Sequence, residues 1–250
     1  MQGFGRQGFS MLPTVVKNLI IINGLLFLAT ISFHASMNID LRDILGMHYF
    51  KSSLFEPYQI VTYMFMHGDI SHIFFNMFAV WMFGSQIENA WGPKRFLIFY
   101  IITGIGASLL HYAIAFIGIQ QIKAGMTPET FQYVIEKGAE LSLQNKNFTD
   151  PDWGQLNSFY NFGLVGASGS LFGILLAFGM MYPNASLYMM FIPIPIKAKY
   201  FVAGYGALEL INGIQDRPGD NVAHFAHLGG MLFGYILIKY WQNQAKGRFR

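Results

Sequence analysis

Hydrophobic positions in this chain gather into long blocks separated by short polar breaks. Six blocks stand out, at about Val15 to Phe33, Ile70 to Ile87, Phe96 to Ile119, Leu164 to Tyr182, Lys199 to Ile214 and Val222 to Trp241. A helix of ~20 mainly apolar residues is long enough to cross the hydrocarbon core of a bilayer. The pattern therefore predicts an all-α polytopic membrane protein with six transmembrane helices. A semi-apolar piece, Tyr58 to Met66, precedes the second block. The run Leu187 to Ile196 is apolar but short and carries Pro193 and Pro195, so it reads as an interfacial loop.

Composition agrees with lipid as the main solvent. Of 250 residues, 53% are hydrophobic, 17% aromatic and only 12% charged. Soluble domains carry about 25% charged residues. Disorder is excluded on the same grounds. The chain has no cysteine, which removes disulfides, thiolate metal sites and cysteine nucleophiles. A net charge of +3 does not point to nucleic acid here, because the basic residues distribute as a membrane topology would place them. With the N-terminus inside, the inner face receives Arg6, Lys17, Lys94, Arg95, Lys197, Lys199, Lys239, Lys246, Arg248 and Arg250, with Glu88 as its only acid. The outer face receives Arg42, Lys51, Lys123, Lys137, Lys146 and Arg217, together with the twelve other acids. Both termini are thus expected in the cytoplasm.

The expected organisation is a cytoplasmic N-terminal segment (1–14), a membrane domain (15–241) and a basic cytoplasmic tail (242–250). The first 14 residues lack the features of a cleavable signal, so the first block is expected to be retained. Two outer segments are long. Residues 34–57 contain Met47, Tyr49, Phe50, Leu54 and Phe55 and are expected at the membrane interface. In 120–161, Thr127-Pro128-Glu129 signals a helix start, with Thr as N-cap and Pro at N1. Phe131, Val134 and Ile135 give that helix an apolar face, and Asn145 to Gly154 reads as loop.

Polar residues inside a membrane are costly and are functional candidates by default. Here they share one depth. The second, fourth and sixth spans all run inward, and each carries polar residues near its outer start: His72 and Asn76, Ser168 and Ser170, His224 and His227. Gly169 and Gly173 on one span, and Ala226, Gly230 and Gly234 on another, are spaced by four and permit close approach. If these stripes face each other, Ser168 comes within reach of His227. A serine needs a base to become a nucleophile, and histidine serves near neutral pH. His72 and Asn76, four apart, share a helix face and can donate to a developing oxyanion. Acyl transfer, most simply peptide hydrolysis, is the reaction class that fits.

These residues resemble the rhomboid intramembrane serine proteases. Gly166-Ala167-Ser168-Gly169 is similar to their GxSG motif, His72 to Asn76 to their HxxxN motif, and Ala226-His227 with Gly230 and Gly234 to their AHxxGxxxG motif. The resemblance runs from about Phe55 to Gly234, in order and on the matching spans. It implies a six-helix rhomboid bundle and a catalytic dyad. Ser168 would be the nucleophile and His227 the general base, with His72, Asn76 and the Ser168 backbone N–H as oxyanion hole. Gly166 would let the preceding loop pack closely, and His67 would serve local bonding or water handling. Phe172 stands where some members place a tyrosine beneath the histidine. Glu88 and Glu56 match recurrent structural acids. The Trp-Arg pair frequent in the first loop is Tyr58-Gln59 here. No acid stands where it plainly orients His227, in keeping with a dyad.

The implied activity is endoproteolysis of transmembrane protein substrates in the lipid bilayer, near the outer face, without cofactor or metal. A bacterial cell membrane is the expected location. Two other classes remain open on the residues alone. One is a non-catalytic relative that binds membrane proteins. The other is a metal or transport site built from His67, His72, His224 and His227.

Overall fold

The computed structural model describes residues 9–144, 146–189, 192–215 and 222–247. Arg6, Asn145, Arg217, Arg248 and Arg250, which enter the charge and loop readings above, lie outside the described residues.

The first block folds as α1 (Thr14–Met37) and ends at Asn38, whose left-handed φ of 54° is a common way to close a helix. Its N-terminus is capped from the second span. Glu88, buried, accepts from the Val15 N–H at 2.9 Å with one carboxylate oxygen and from the Val16 N–H at 2.8 Å with the other. A carboxylate at a helix N-terminus satisfies orphan donors and meets the positive end of the dipole.

The first outer segment holds α2 (Leu41–Leu45) and α3 (Gln59–Thr62), then a 3₁₀ turn, Tyr63–Phe65. Gln59 anchors this segment. Its side chain is buried, accepts from the His48 and Glu56 backbone N–H groups, and donates to the Ile44 and Leu54 carbonyls at 3.1 and 2.9 Å. The second span is α4 (Ile70–Ala79), a π turn at Val80–Gly84, and α5 (Ser85–Trp91). Next comes α6 (Pro93–Ala124), with Pro93 at its first position.

The 120–161 segment forms a helical hairpin, α7 (Pro128–Ser142) and α8 (Pro151–Asn161). Thr127 caps α7 by accepting from the Thr130 N–H. Part of the stretch expected as loop is helix, because Asp150-Pro151 is a second N-cap and N1 pair, with Asp150 accepting from the Trp153 N–H at 2.9 Å.

The fourth block is helical only from the serine onward, as α9 (Ser168–Met181). Residues before it are non-helical, and Leu164 bridges to Met47 of the first outer segment. The run expected as an interfacial loop is instead an antiparallel ribbon, β1 (Ser186–Met189) and β2 (Ile192–Lys197), pairing Ser186 with Lys197 and Leu187 with Ile196. Both strands of a two-stranded ribbon are edges, where proline is tolerated. The last spans are α10 (Ala198–Gln215) and α11 (His224–Gly247).

Six helical segments therefore form an all-α bundle, and α11 packs between α6, α9 and α10. By length and hydropathy alone, two of the described helices, Thr14–Met37 and Pro93–Ala124, satisfy the requirement for a span. The second span is divided by its π turn, and α9 is 14 residues long because the chain before it is unwound. Glycine permits a very close contact between two of these helices. A Cβ on Gly230 would overlap the Gly169 carbonyl oxygen, so α11 and α9 touch backbone to backbone.

Candidate active site

The closeness of α9 and α11 decides what meets across them. Ser168 is the first residue of α9, half-buried, and its Oγ lies 2.9 Å from Nε2 of His227. His227 is on the first turn of α11 and is buried. Phe172, one turn beyond Ser168, stacks flat on the imidazole, with ring centroids 4.1 Å apart and planes at 7°. Ser170 is fully buried on another face of α9 and donates to the Tyr100 carbonyl at 2.8 Å.

The backbone before Ser168 is shaped by Gly166. Its φ of +126° is a conformation that L side chains rarely adopt. A Cβ there would stand 2.8 Å from His72 Nε2, so the glycine lets the loop lie against that imidazole. The Gly166 N–H donates to the Tyr63 carbonyl at 2.9 Å. As the first helical residue, Ser168 has a backbone N–H with no partner inside α9.

His72 approaches from α4, and Asn76 lies one turn further along the same helix. Asp69 caps that helix by accepting from the His72 N–H at 2.9 Å, which fixes His72 in its first turn. The Gly68 N–H donates to His72 Nδ1 at 3.3 Å, placing the ring proton on Nε2, the atom beside Gly166. Asn76 is buried, and its Nδ2 has no hydrogen-bond partner among the described residues. A buried amide donor without a partner is costly in the resting protein and suits a charge that appears only during reaction. His67 lies beside this group, its ring edge-on to His72 at 4.9 Å. Burial, reinforced by the His72 ring, pushes the His67 imidazole down to about 3, so it stays neutral.

One expectation from the sequence is corrected. An acid does face His227. Glu209 of α10 is buried, and its Oε2 accepts from His227 Nδ1 at 2.8 Å and from His224 Nδ1 at 2.6 Å. By its place along the chain, Glu209 counts with the outer acids. The spacing along α10 carries a partial signal. Val202, Gly206, Glu209 and Gly213 recur at helical spacing, and Gly206 and Gly213 are the positions where α10 meets Met231 and His224 of α11. The antiparallel packing of α10 on α11 carries the carboxylate to the first turn of α11.

Glu209, His224 and His227 also form the group of potential metal ligands found among the described residues, and it does not include His67 or His72. Its 2.6 and 2.8 Å separations are hydrogen-bond distances. Donors on a tetrahedral zinc, with bonds of ~2.0 Å, stand about 3.3 Å apart. The cluster as arranged shares protons.

Residues 54–243 match the Rhomboid domain. The chain belongs to the rhomboid family. Among rhomboid relatives, it is 29% identical over 241 residues to RHOMBOID-like protein 12, mitochondrial, of Arabidopsis thaliana, covering 94% of this chain and 60% of that protein. It is 27% identical over 180 residues to Rhomboid protease AarA of Providencia stuartii, covering 70% and 52%. It is 25% identical over 196 residues to Rhomboid protein 1, mitochondrial, of Saccharomyces cerevisiae, covering 76% and 45%. The chain thus spans about half the length of the curated rhomboids it matches. Several of their names specify mitochondria or chloroplasts, so the expected bacterial cell membrane is not supported.

Proposed function

We propose that this rhomboid is an active serine endopeptidase that cleaves transmembrane segments of other membrane proteins. The observation that carries the reading is the 2.9 Å contact between Ser168 Oγ and His227 Nε2, with His72 Nε2 against the Gly166 loop that precedes the serine. Nδ1 of His227 donates to a carboxylate, so Nε2 of the neutral ring is bare and accepts the serine proton.

In the first step Ser168 Oγ attacks the scissile carbonyl and its proton passes to His227 Nε2. The carbonyl oxygen becomes an oxyanion that receives bonds from the Ser168 N–H, His72 Nε2–H and Asn76 Nδ2–H. Collapse breaks the C–N bond, and the leaving amine takes the proton from Nε2. Water then attacks the acyl-serine, gives its proton to Nε2, and releases a carboxyl product while Ser168 regains its hydrogen. No cofactor enters this cycle. The substrate carbonyl must be free of helical hydrogen bonds, which favours segments with small or helix-weakening residues. Water reaches Ser168 from the outer face, where the unwound stretch before α9 borders the polar residues. Both termini face the opposite, basic side.

Reconstitution of wild type and Ser168→Ala with a panel of tagged transmembrane substrates tests the reading, alongside labelling by a serine-reactive fluorophosphonate. Cleavage and labelling of wild type alone are expected. A folded wild type that neither cleaves nor labels identifies a non-catalytic binder of membrane proteins. Activity lost to EDTA identifies a metal-dependent one.

A further inference from the structure

We propose that Glu209 is a positioning residue that extends the Ser168–His227 pair into a Ser-His-Glu triad, with His224 holding the carboxylate from its other side. The proposal rests on the protease reading above. Three observations converge on it. The Glu209 Oε2 to His227 Nδ1 distance is 2.8 Å while His227 Nε2 faces Ser168 at 2.9 Å, so serine, imidazole and carboxylate form one hydrogen-bonded line. A carboxylate oxygen accepts, so the proton sits on Nδ1 and the imidazole is held in the tautomer a general base needs. The same oxygen takes a second bond from His224 Nδ1 at 2.6 Å. That bond restrains the carboxylate without competing for Nε2.

The chemistry explains why an acid is useful here. When Ser168 gives up its proton, His227 becomes an imidazolium in a site that Phe172 covers on one face. A fixed negative group beside Nδ1 stabilises that charge without itself taking the proton. Two donors and the nearby N-terminus of α11 in turn stabilise the carboxylate, so burial does not leave it isolated. Glu209 touches neither substrate nor Ser168 in this scheme and acts through His227.

The test uses the full chain, with wild type, Glu209→Gln, Glu209→Asp and Ser168→Ala assayed for cleavage of one transmembrane substrate and for fluorophosphonate labelling. Folding is followed by thermal unfolding. Glu209→Gln is expected to lower kcat by about 10²- to 10⁴-fold, to leave KM nearly unchanged and to slow labelling in parallel. Glu209→Asp is expected to recover part of the loss. Histidine ¹⁵N NMR of wild type, assigned with His227→Ala, is expected to show Nδ1 of His227 protonated. This measurement decides the matter if the Glu209 variants do not fold. A folded Glu209→Gln with kcat close to wild type, a change confined to KM, or a His227 protonated on Nε2 would each overturn the triad. A wild type that is folded, Nδ1-protonated and inactive would instead overturn the protease reading.

Discussion

Ser168 and Ser170 stand two residues apart, and their surroundings give them different chemistry. Ser168 is half-buried with a base 2.9 Å away, whereas Ser170 is sealed and spends its proton on the Tyr100 carbonyl. Ser168→Ala is therefore expected to abolish proteolysis and leave thermal unfolding unchanged. Ser170→Ala is expected to keep activity and lose about 1 kcal/mol of stability. A dead, folded Ser170→Ala beside an active Ser168→Ala would reverse the assignment. On α4, His72→Ala or Asn76→Ala should each lower kcat by ~10²–10³ with little change in KM, because the charge they receive exists only in the transition state. A rise in KM alone would make them substrate contacts. The meeting of Ser168 with His227 was legible because the small-residue stripes on their two spans are spaced to face each other. Glu209 was missed because its partners lie 15 and 18 residues away and are reached only through the register of α10 on α11.

Among the elements, the start of α9 matters most to the site. A span drawn from hydropathy begins at Leu164, but the helix begins at Ser168, after a non-helical stretch held by the Met47–Leu164 bridge. Had the helix begun four residues earlier, the Ser168 N–H would be bonded within it and unable to face a substrate. Gly166 keeps that stretch unwound. Gly166→Ala is expected to cost roughly 1–3 kcal/mol through its positive φ and to push the loop off His72, seen as lower fluorophosphonate labelling and a lower Tm. Unchanged labelling would show that the loop relaxes without harm. Hydropathy cannot show this unwinding, because Leu164 and Val165 are as apolar as the helix that follows. The π turn at Val80–Gly84 was equally silent, since one widened turn leaves a uniformly apolar pattern intact. The β1–β2 ribbon was missed for a different reason, as its two prolines argue against a strand anywhere except an edge.

At the scale of the whole molecule, the surface shows which parts meet lipid. Leu25 and Leu28 of α1, Phe74 and Phe75 of α4, Ile117 of α6 and Leu208 and Ile211 of α10 are all exposed. A water-soluble monomer rarely carries so much outward apolar surface. Two helix ends fix the axis. Near the start of α6, the Arg95 guanidinium lies 4.2 Å from the Trp241 ring centroid and 5.3 Å from that of Trp91, a pairing suited to the membrane interface. At its other end, α6 reaches Ala124; its 32 residues make a rod of about 48 Å, longer than a hydrocarbon core of ~30 Å. The α7–α8 hairpin packs on that end, and the chain leaves α8 directly into the loop before Ser168. The site and the hairpin therefore lie toward the same face. Under the positive-inside rule, the excess of Lys and Arg predicted at the other end is the basis for the proposed orientation, with that other face on the inner, cytoplasmic-type side. The cysteine-free sequence makes the assignment measurable. In sealed vesicles of known sidedness, Gln144→Cys, exposed between α7 and α8, is expected to react with an impermeant maleimide from the non-cytoplasmic side. Lys197→Cys, exposed at the end of β2, is expected to react only after permeabilisation. The opposite pattern would place Ser168 toward the cytoplasm, and substrates would then be cut on that side of the membrane.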